Sequence, residues 1–257
     1  MIMCSCDHVA PVPGFCYMSS VDQIEEFVDE RQKSWCIHCG GWITQLKTNR
    51  DHVPSKSLLR EPYPANLPVV EVCAACNEGF SLDEEYLVVF LNCVLAGSTD
   101  PDQQRNPRVE SILRRNGKLR ARIDGSRNEY RTLGGETRCV WTPELERVNR
   151  VVVKNARGHA FFEYGEPMLR EPRSVWSAPF ETLTAEQRAA FEAIETGPGW
   201  PEVGSRMLTR VVSGQDLSGS WVIVQDGVYR YAVAQQGDIL VRSVLFEYLA
   251  TETLWSD

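Results

Sequence analysis

The 257-residue chain lacks a long apolar segment. Its longest apolar stretch, residues 86–97, contains Asn92 and falls short of the roughly 18 residues that a membrane helix needs. The first residues have neither the positive region nor the apolar core of a secretory signal. These absences argue against a membrane helix and a secreted protein, so we expect a cytoplasmic one.

The chain also lacks an excess of positive charge, because its formal net charge is -8. A nucleic acid would therefore have to be attracted by a local patch. Residues 105–131 hold nine basic and three acidic residues, whereas residues 177–257 hold five basic and eleven acidic ones. We expect a polyanion such as a nucleic acid to meet the basic segment and a protein partner to suit the acidic C-terminal half. The candidate nucleic-acid contacts are Arg114, Arg115, Lys118, Arg120 and Arg122, joined by Lys56 and Arg60.

The alternative for these basic residues is a solvated surface with scattered ion pairs. Backbone contacts of this kind position DNA without reading its sequence. Lys56 and Arg60 lie in a proline-rich segment, where they could neutralise a phosphate or simply be solvated. The sequence leaves both interpretations open.

Nine cysteines is an odd number, and four of them form two Cys-x-x-Cys pairs. The pairs are Cys36 with Cys39 and Cys73 with Cys76. Each pair can place two thiolates about 2.3 Å from one tetrahedral zinc ion, which would tie down a segment too polar to fold around its own core. We therefore predict a structural zinc clamp, with two unrelated thiol pairs or a redox motif as the alternative. A closed four-cysteine site has no open coordination position, so any catalysis must come from other residues.

The N-terminal segment holds four further residues that can bind metals, Cys4, Cys6, His8 and Cys16. Their spacing matches no established zinc pattern, and a loosely tied terminus explains them as well.

Inside the clamp, an aspartate directly precedes one of only four histidines, in Asp51-His52-Val53-Pro54. A neutral histidine can accept a proton from water at physiological pH. Adjacent residues on a strand face opposite ways, so Asp51 and His52 would meet one phosphate only if the backbone bends between them. Pro54 and the loop after it favour such a bend.

The complete order is Cys-x-x-Cys, Asp-His-x-x-Pro, Asn66-Leu67 and Cys-x-x-Cys-Asn77. It resembles the zinc-bound HNH endonucleases over residues 35–96. The resemblance implies the ββα-metal fold, with His52 as the general base and Asn66 orienting it. It also implies that Asp51 and Asn77 bind one catalytic divalent ion. Asn77 stands where the family name has histidine, as in HNN members, and its amide oxygen suits Mg²⁺ or Mn²⁺.

The resemblance implies a metal-dependent endonuclease that hydrolyses phosphodiester bonds in DNA, of the kind that works in restriction, phage defence or mobile elements. RNA is an alternative substrate. A second interpretation is a non-catalytic zinc module that binds nucleic acid or a protein partner.

The expected fold class is α+β. We expect a nuclease domain over residues 1–98 and an accessory α+β domain over residues 99–257. Within them, the patterns predict helices at 20–33, 81–97, 108–115, 143–158 and 184–194, and strands at 69–72, 119–123, 160–164 and 239–249. They also predict an antiparallel hairpin over 221–233 with a type I′ turn at Asp226-Gly227. His159 is expected to be a packed histidine.

Overall fold

The structure is a computed structural model that describes residues 23–25, 32–131, 133–194, 201, 203–235 and 237–256. It is a mixed α+β protein with antiparallel sheets, which confirms the predicted fold class at that level. Within the described parts, we find no helix with both the length and the apolar character required to cross a bilayer.

The N-terminal part is a small sheet followed directly by a long helix. The strands are β1 (Gln23–Glu25), β2 (Thr48–His52) and β3 (Leu67–Cys73), and the helix is α1 (Ala74–Ala96). β3 is central, paired parallel with β1 and antiparallel with β2. The predicted strand at 69–72 is therefore confirmed within β3, whose residues are buried except for Glu71.

Helix α1 begins earlier than the capping box at Ser81 predicted. Its N-cap is Cys73, whose sulfur accepts a hydrogen bond from the Cys76 amide at 3.4 Å. It ends where expected, at Gly97, which adopts the left-handed conformation with φ 67°. The helix predicted over 20–33 is wrong where the structure describes it, because residues 23–25 form β1. Its remaining described residues form a short 3-10 turn at Gln32–Ser34.

The middle of the chain contributes three further helices and a small hairpin. These are α2 (Pro107–Arg115), α3 (Gly117–Asp124), β4 (Arg127–Arg131), β5 (Thr137–Trp141) and α4 (Leu145–Tyr164). The predicted helix at 108–115 is confirmed as α2. The predicted strand at 119–123 is wrong: Leu119 and Ile123 lie one helical turn apart on the buried side of α3, which Asn116 caps.

Helix α4 continues past Gly158, where the sequence predicted its end, and its last turns replace the predicted strand at 160–164. A Cβ added to Gly158 would lie 2.8 Å from a γ carbon of Val53. This glycine therefore allows a close approach between α4 and the segment after β2, and it does not end the helix.

The C-terminal part is a six-stranded antiparallel sheet in the order β6-β11-β10-β9-β8-β7. Its strands are β6 (Ser174–Pro179), β7 (Leu217–Ser218), β8 (Trp221–Gln225), β9 (Tyr229–Gln235), β10 (Ile239–Leu245) and β11 (Leu249–Trp255). Two short helices accompany it, α5 (Ala185–Glu192) and α6 (Arg206–Ser213). The predicted helix with Thr184 as its cap is confirmed as α5.

Alternation along β9 shows why both faces of this sheet are buried. Tyr229, Tyr231 and Val233 belong to the main core with α1 and α4, whereas Ala232 and Ala234 pack with Phe191 of α5. The sheet therefore lies between α4 and α5.

The predicted hairpin is confirmed as β8 and β9, but its type I′ turn is wrong because only Gly227 of the two turn residues has a positive φ. The strand predicted over 239–249 is interrupted: Phe246 and Glu247 have φ of 55° and 49°, and the Tyr248 amide donates to the Leu245 carbonyl. This is the pattern of a type I′ turn, formed without the glycine or asparagine that usually signals one.

Candidate metal centre and catalytic motif

The four cysteines of the two Cys-x-x-Cys pairs come together in space. Their sulfur atoms all lie within 4.8 Å of one another, and those of Cys39 and Cys73 are 3.8 Å apart. Four sulfurs bound to one tetrahedral zinc would lie about 3.8 Å apart. The cluster therefore fits a metal such as zinc, and the prediction that these residues can share an ion is confirmed.

Local backbone geometry forms each half of the cluster. In the first pair, the Gly40 amide donates to the Cys36 carbonyl at 2.8 Å and the Cys36 amide donates to the Gly41 carbonyl at 2.9 Å. Gly40 has φ 71°, which favours glycine at this turn. The second pair lies at the junction of β3 and α1, where the positive end of the helix favours thiolates.

Asp51 and His52 both belong to β2. They face Val70 and Val69 in one continuous antiparallel register with β3. The bend expected between them is therefore absent, and the chain turns only after His52, where the Val53–Pro54 peptide is cis.

Asp51 is buried against Lys154 of α4. The Lys154 ammonium lies 2.9 Å from each carboxylate oxygen of Asp51. Burial raises the pKa of Asp51, but the neighbouring His38 imidazole and the Lys154 charge outweigh it, so the pKa lies below its usual value. Asp51 therefore carries a negative charge that the protein itself compensates.

The same ammonium has two further oxygen partners. It donates to Ser55 Oγ and to Glu84 Oε1, both at 2.6 Å, while Ser55 Oγ also donates to Glu84 at 2.7 Å. Asn155, the next residue of α4, accepts from the Ser55 amide at 2.9 Å. Lys154 is thus enclosed by oxygen atoms from β2, the following loop and α1.

His38 lies on the other side of Asp51. Its side chain is 2% exposed, and its Nε2 lies 3.8 Å from Asp51 Oδ2, beyond hydrogen-bond distance. Its ring packs edge-on against Phe80 of α1, and burial lowers its pKa. His38 is therefore a buried side chain that packs against Phe80 near Asp51.

His52 is half-buried. Its Nε2 is buried and has no hydrogen-bond partner among the residues that the structure describes. Burial, followed by the charge of Lys56, lowers the pKa of His52 below its usual value. A neutral imidazole with an unused nitrogen meets the chemical requirement for accepting a proton.

The two asparagines of the motif lie on either side of β3. Asn66 is exposed and immediately precedes β3, and Asn77 is half-buried in the first turn of α1. Among the described residues, no hydrogen bond joins Asn77 to Asp51. The strand-strand-helix unit thus carries all four motif residues without joining their side chains into one cluster.

These side chains do not fit a divalent ion shared by Asp51 and Asn77. A cation beside Asp51 would meet the Lys154 ammonium, which already lies against both carboxylate oxygens. Two cations that close repel each other strongly in a buried site. Asp51 is therefore paired as a structural carboxylate in this conformation.

Comparison with family models, curated proteins and solved structures finds no match.

Several of the predicted DNA contacts are engaged in ion pairs. Arg114 pairs with Asp102 and Glu110, Arg115 lies 4.0 Å from Glu85, and Arg122 lies 2.5 Å from Glu144. Within the described chain, Lys118 and Arg120 form no ion pair with a carboxylate. Lys56 lies over the ring of Tyr63 and Arg60 over the ring of Phe246. Some of these basic residues are thus neutralised by ion pairs, as expected for a solvated surface, and others remain available to contact a nucleic acid.

Sequence reasoning missed Lys154, Ser55 and Glu84. Glu84 lies ten residues after Ala74, the first residue of α1, and nothing in its local sequence indicates a contact with Lys154. Lys154 is separated from Asp51 by 103 positions, and nothing in its local sequence marks it as a partner. The possible second metal site at Cys4, Cys6, His8 and Cys16 lies outside the described residues.

Proposed function

We propose that this chain is an HNH-type endonuclease that hydrolyses phosphodiester bonds in DNA. The supporting observation is the unit of β2, β3 and α1 with a four-cysteine cluster at its base. This unit carries His52 at the end of its first strand and Asn77 in the first turn of its helix.

In this proposal, His52 takes a proton from a water molecule that attacks phosphorus in line. The bond from phosphorus to the 3′ oxygen breaks, which leaves a 5′-phosphate and a 3′-hydroxyl that takes its proton from solvent. The unpartnered Nε2 and the lowered pKa of His52 support the role of base. Lys56, whose charge acts on His52, can attract the negatively charged substrate.

The pairing of Asp51 with Lys154 favours a second candidate, a zinc module that binds nucleic acid without cutting it. A residue that must bind a catalytic metal would gain nothing from a buried counter-ion. The two candidates share the zinc cluster and the basic surface, and they differ in whether His52 meets a reactive phosphate.

Supercoiled plasmid separates the two candidates. Wild type, His52→Ala and a control, Gln215→Ala, are incubated with Mg²⁺, with Mn²⁺ and with a chelator. Gln215 is exposed and lies in the C-terminal part. Nicking by wild type and the control but not by His52→Ala supports the nuclease. Binding without nicking under any of these conditions supports the second candidate, and equal nicking by His52→Ala removes His52 as the base.

A further inference from the structure

A groove of about 380 Å³ lies beside the loop that follows His52. Three arginines contribute to its wall, two from the segment before α2 or its first turn and one from the loop. The polar and charged residues that line it include Ser57, Arg60, Glu61, Tyr63, Arg105 and Arg108.

The charge of this groove is positive, because three guanidinium groups face one carboxylate, that of Glu61. Arg60 and Arg105 are exposed and form no ion pair with a carboxylate in the part of the chain that the structure describes. They differ in this from Arg114, Arg115 and Arg122, whose charges are matched by acids. Arg60 and Arg105 therefore bring unmatched positive charge to the groove, as Lys118 and Arg120 do to α3.

Two further features favour a phosphate at this position. The groove includes the N-terminus of α2, a nine-residue helix with Asn106 as its cap and Pro107 at its first position. Pro107 has no amide hydrogen and the Asn106 side chain accepts from the Arg108 amide, so α2 favours a phosphate here through its dipole and not through these two amides. Ser57 also lines the groove, and its hydroxyl oxygen is buried without a hydrogen-bond partner in the described part of the chain, so its hydrogen remains available as a donor.

Lys56 connects this groove to the catalytic motif. It follows His52 by four positions, and its ammonium lies 5.5 Å from the ring centroid of Tyr63 in the groove wall. The charge of Lys56 also acts on His52 and lowers its pKa, so DNA held in the groove would lie near Lys56 and His52.

We propose that this groove binds a backbone phosphate of the DNA strand that reaches His52, through Arg60, Arg105 and Ser57. This inference rests on the proposed nuclease function and names the surface that holds its substrate. A phosphodiester oxygen accepts hydrogen bonds from guanidinium and hydroxyl groups, and its negative charge compensates the positive charge of the groove.

The test measures binding in a chelator, so that it does not depend on cleavage. A fluorescently labelled DNA duplex of about two helical turns is titrated with the full chain, and anisotropy is followed at several salt concentrations. The variants are Arg105→Gln and Arg60→Gln/Arg105→Gln. The matched control is Arg173→Gln, an exposed arginine of the C-terminal part. Thermal unfolding of each variant checks that the fold is kept.

We expect the double variant to bind about tenfold more weakly and the slope of log K against log salt to fall by about one, as for the loss of one phosphate contact. The control should bind like wild type. Wild-type affinity in the double variant, or no DNA binding by the wild type, would overturn the groove. Loss of binding on Lys118→Gln alone would place the DNA on α3 instead, and tighter binding of an RNA duplex of the same sequence would overturn the choice of DNA.

The outcome is independent of catalysis. If the groove variants bind DNA more weakly but wild type never nicks plasmid, the groove assignment stands and the nuclease proposal fails. If wild type nicks plasmid and the groove variants bind DNA as wild type does, the nuclease proposal stands and the groove assignment fails.

Discussion

The Lys154 ammonium lies 2.9 Å from both carboxylate oxygens of Asp51, across a separation of 103 positions in the chain. Both side chains are buried, and Glu84 and Ser55 complete the surroundings of the ammonium. A buried charge is tolerated only when it is paired and hydrogen-bonded, and here one lysine compensates two carboxylates.

Replacing Lys154 by methionine should destabilise the protein by about 3–5 kcal/mol, since it leaves two carboxylates without a counter-ion in a buried site. Chemical denaturation measures the change in unfolding free energy. Lys118→Met, on the exposed side of α3, is the control and should change stability by less than about 0.5 kcal/mol. Adding Asp51→Asn to Lys154→Met should recover part of the loss. A Lys154→Met protein as stable as wild type would show that the ion pair contributes nothing.

The same variant should acquire affinity for divalent cations. With the ammonium removed, the oxygens of Asp51, Ser55 and Glu84 surround a place that lacks positive charge, and carboxylate and hydroxyl oxygens suit Mg²⁺ and Mn²⁺. Millimolar Mn²⁺ should therefore raise the thermal midpoint of Lys154→Met more than that of wild type or of Lys154→Met/Asp51→Asn. Equal shifts in all three proteins would contradict this expectation.

Short-range signals account for the parts that the sequence predicted, which are the strand at 69–72, the end of α1 at Gly97 and each half of the cysteine cluster. Cys-x-x-Cys spacing places two sulfurs on one turn, and Gly97 ends a helix locally. The environment of Asp51 could not be predicted, since it depends on a lysine of α4 that only tertiary packing brings near.

The errors in secondary structure have the same origin. Leu119 and Ile123 suit a strand or a helix equally, and burial of both on one side of α3 decides for the helix. The turn at Phe246 and Glu247 contains neither glycine nor asparagine. However, Arg230 donates to Glu247 at 2.9 Å, and Arg60 lies over the Phe246 ring. Contacts with distant residues thus accompany a conformation that the local sequence disfavours.

We expect about one zinc ion per chain, lost together with much of the stability when Cys36 and Cys73 are both replaced by serine. The physical reason is that the cluster joins the turn before β2 to the start of α1, and metal binding there contributes directly to folding. Elemental analysis and thermal unfolding are the measurements. Cys139→Ser is the control, because Cys139 is exposed and outside the cluster. A folded wild type without any metal would contradict the zinc assignment.

Gly158→Ala should destabilise the protein by about 1–3 kcal/mol, although alanine is the better helix former. Its Cβ would lie 2.8 and 2.9 Å from the two γ carbons of Val53, a buried side chain. Gly79→Ala in α1 is the matched control: nothing lies within 4 Å of its added Cβ, so it should be neutral or stabilising. Adding Val53→Ala should remove most of the steric penalty. Equal stability of Gly158→Ala and wild type would refute the close approach.

Stability should fall as pH drops below about 6.5, in part through His159. This side chain is fully buried, with Nε2 2.9 Å from the Tyr229 hydroxyl, and burial lowers its pKa to about 3. Below about pH 6.5 the unfolded chain therefore binds a proton at His159 that the folded chain does not bind. The free energy of unfolding then falls by about 1.4 kcal/mol per pH unit until the pH approaches 3.

Denaturation between pH 7 and pH 5 tests this sign. His159→Gln removes the titrating group, so its unfolding free energy should vary less with pH than that of wild type, whatever its absolute stability. Identical slopes would show that the pKa of His159 does not differ between the folded and unfolded chain.

Helix α4 faces two different structures along its length. Lys154, Asn155 and Gly158 contact the segment from Asp51 to Ser55, whereas His159 and Glu163 contact tyrosines of β9. A fragment that stops near residue 98 would contain every residue of the nuclease-like motif and still lack the positive charge beneath Asp51. The motif therefore depends on a distant part of the chain. If it were expressed alone or transferred to another protein, another positively charged group would have to replace Lys154 of α4.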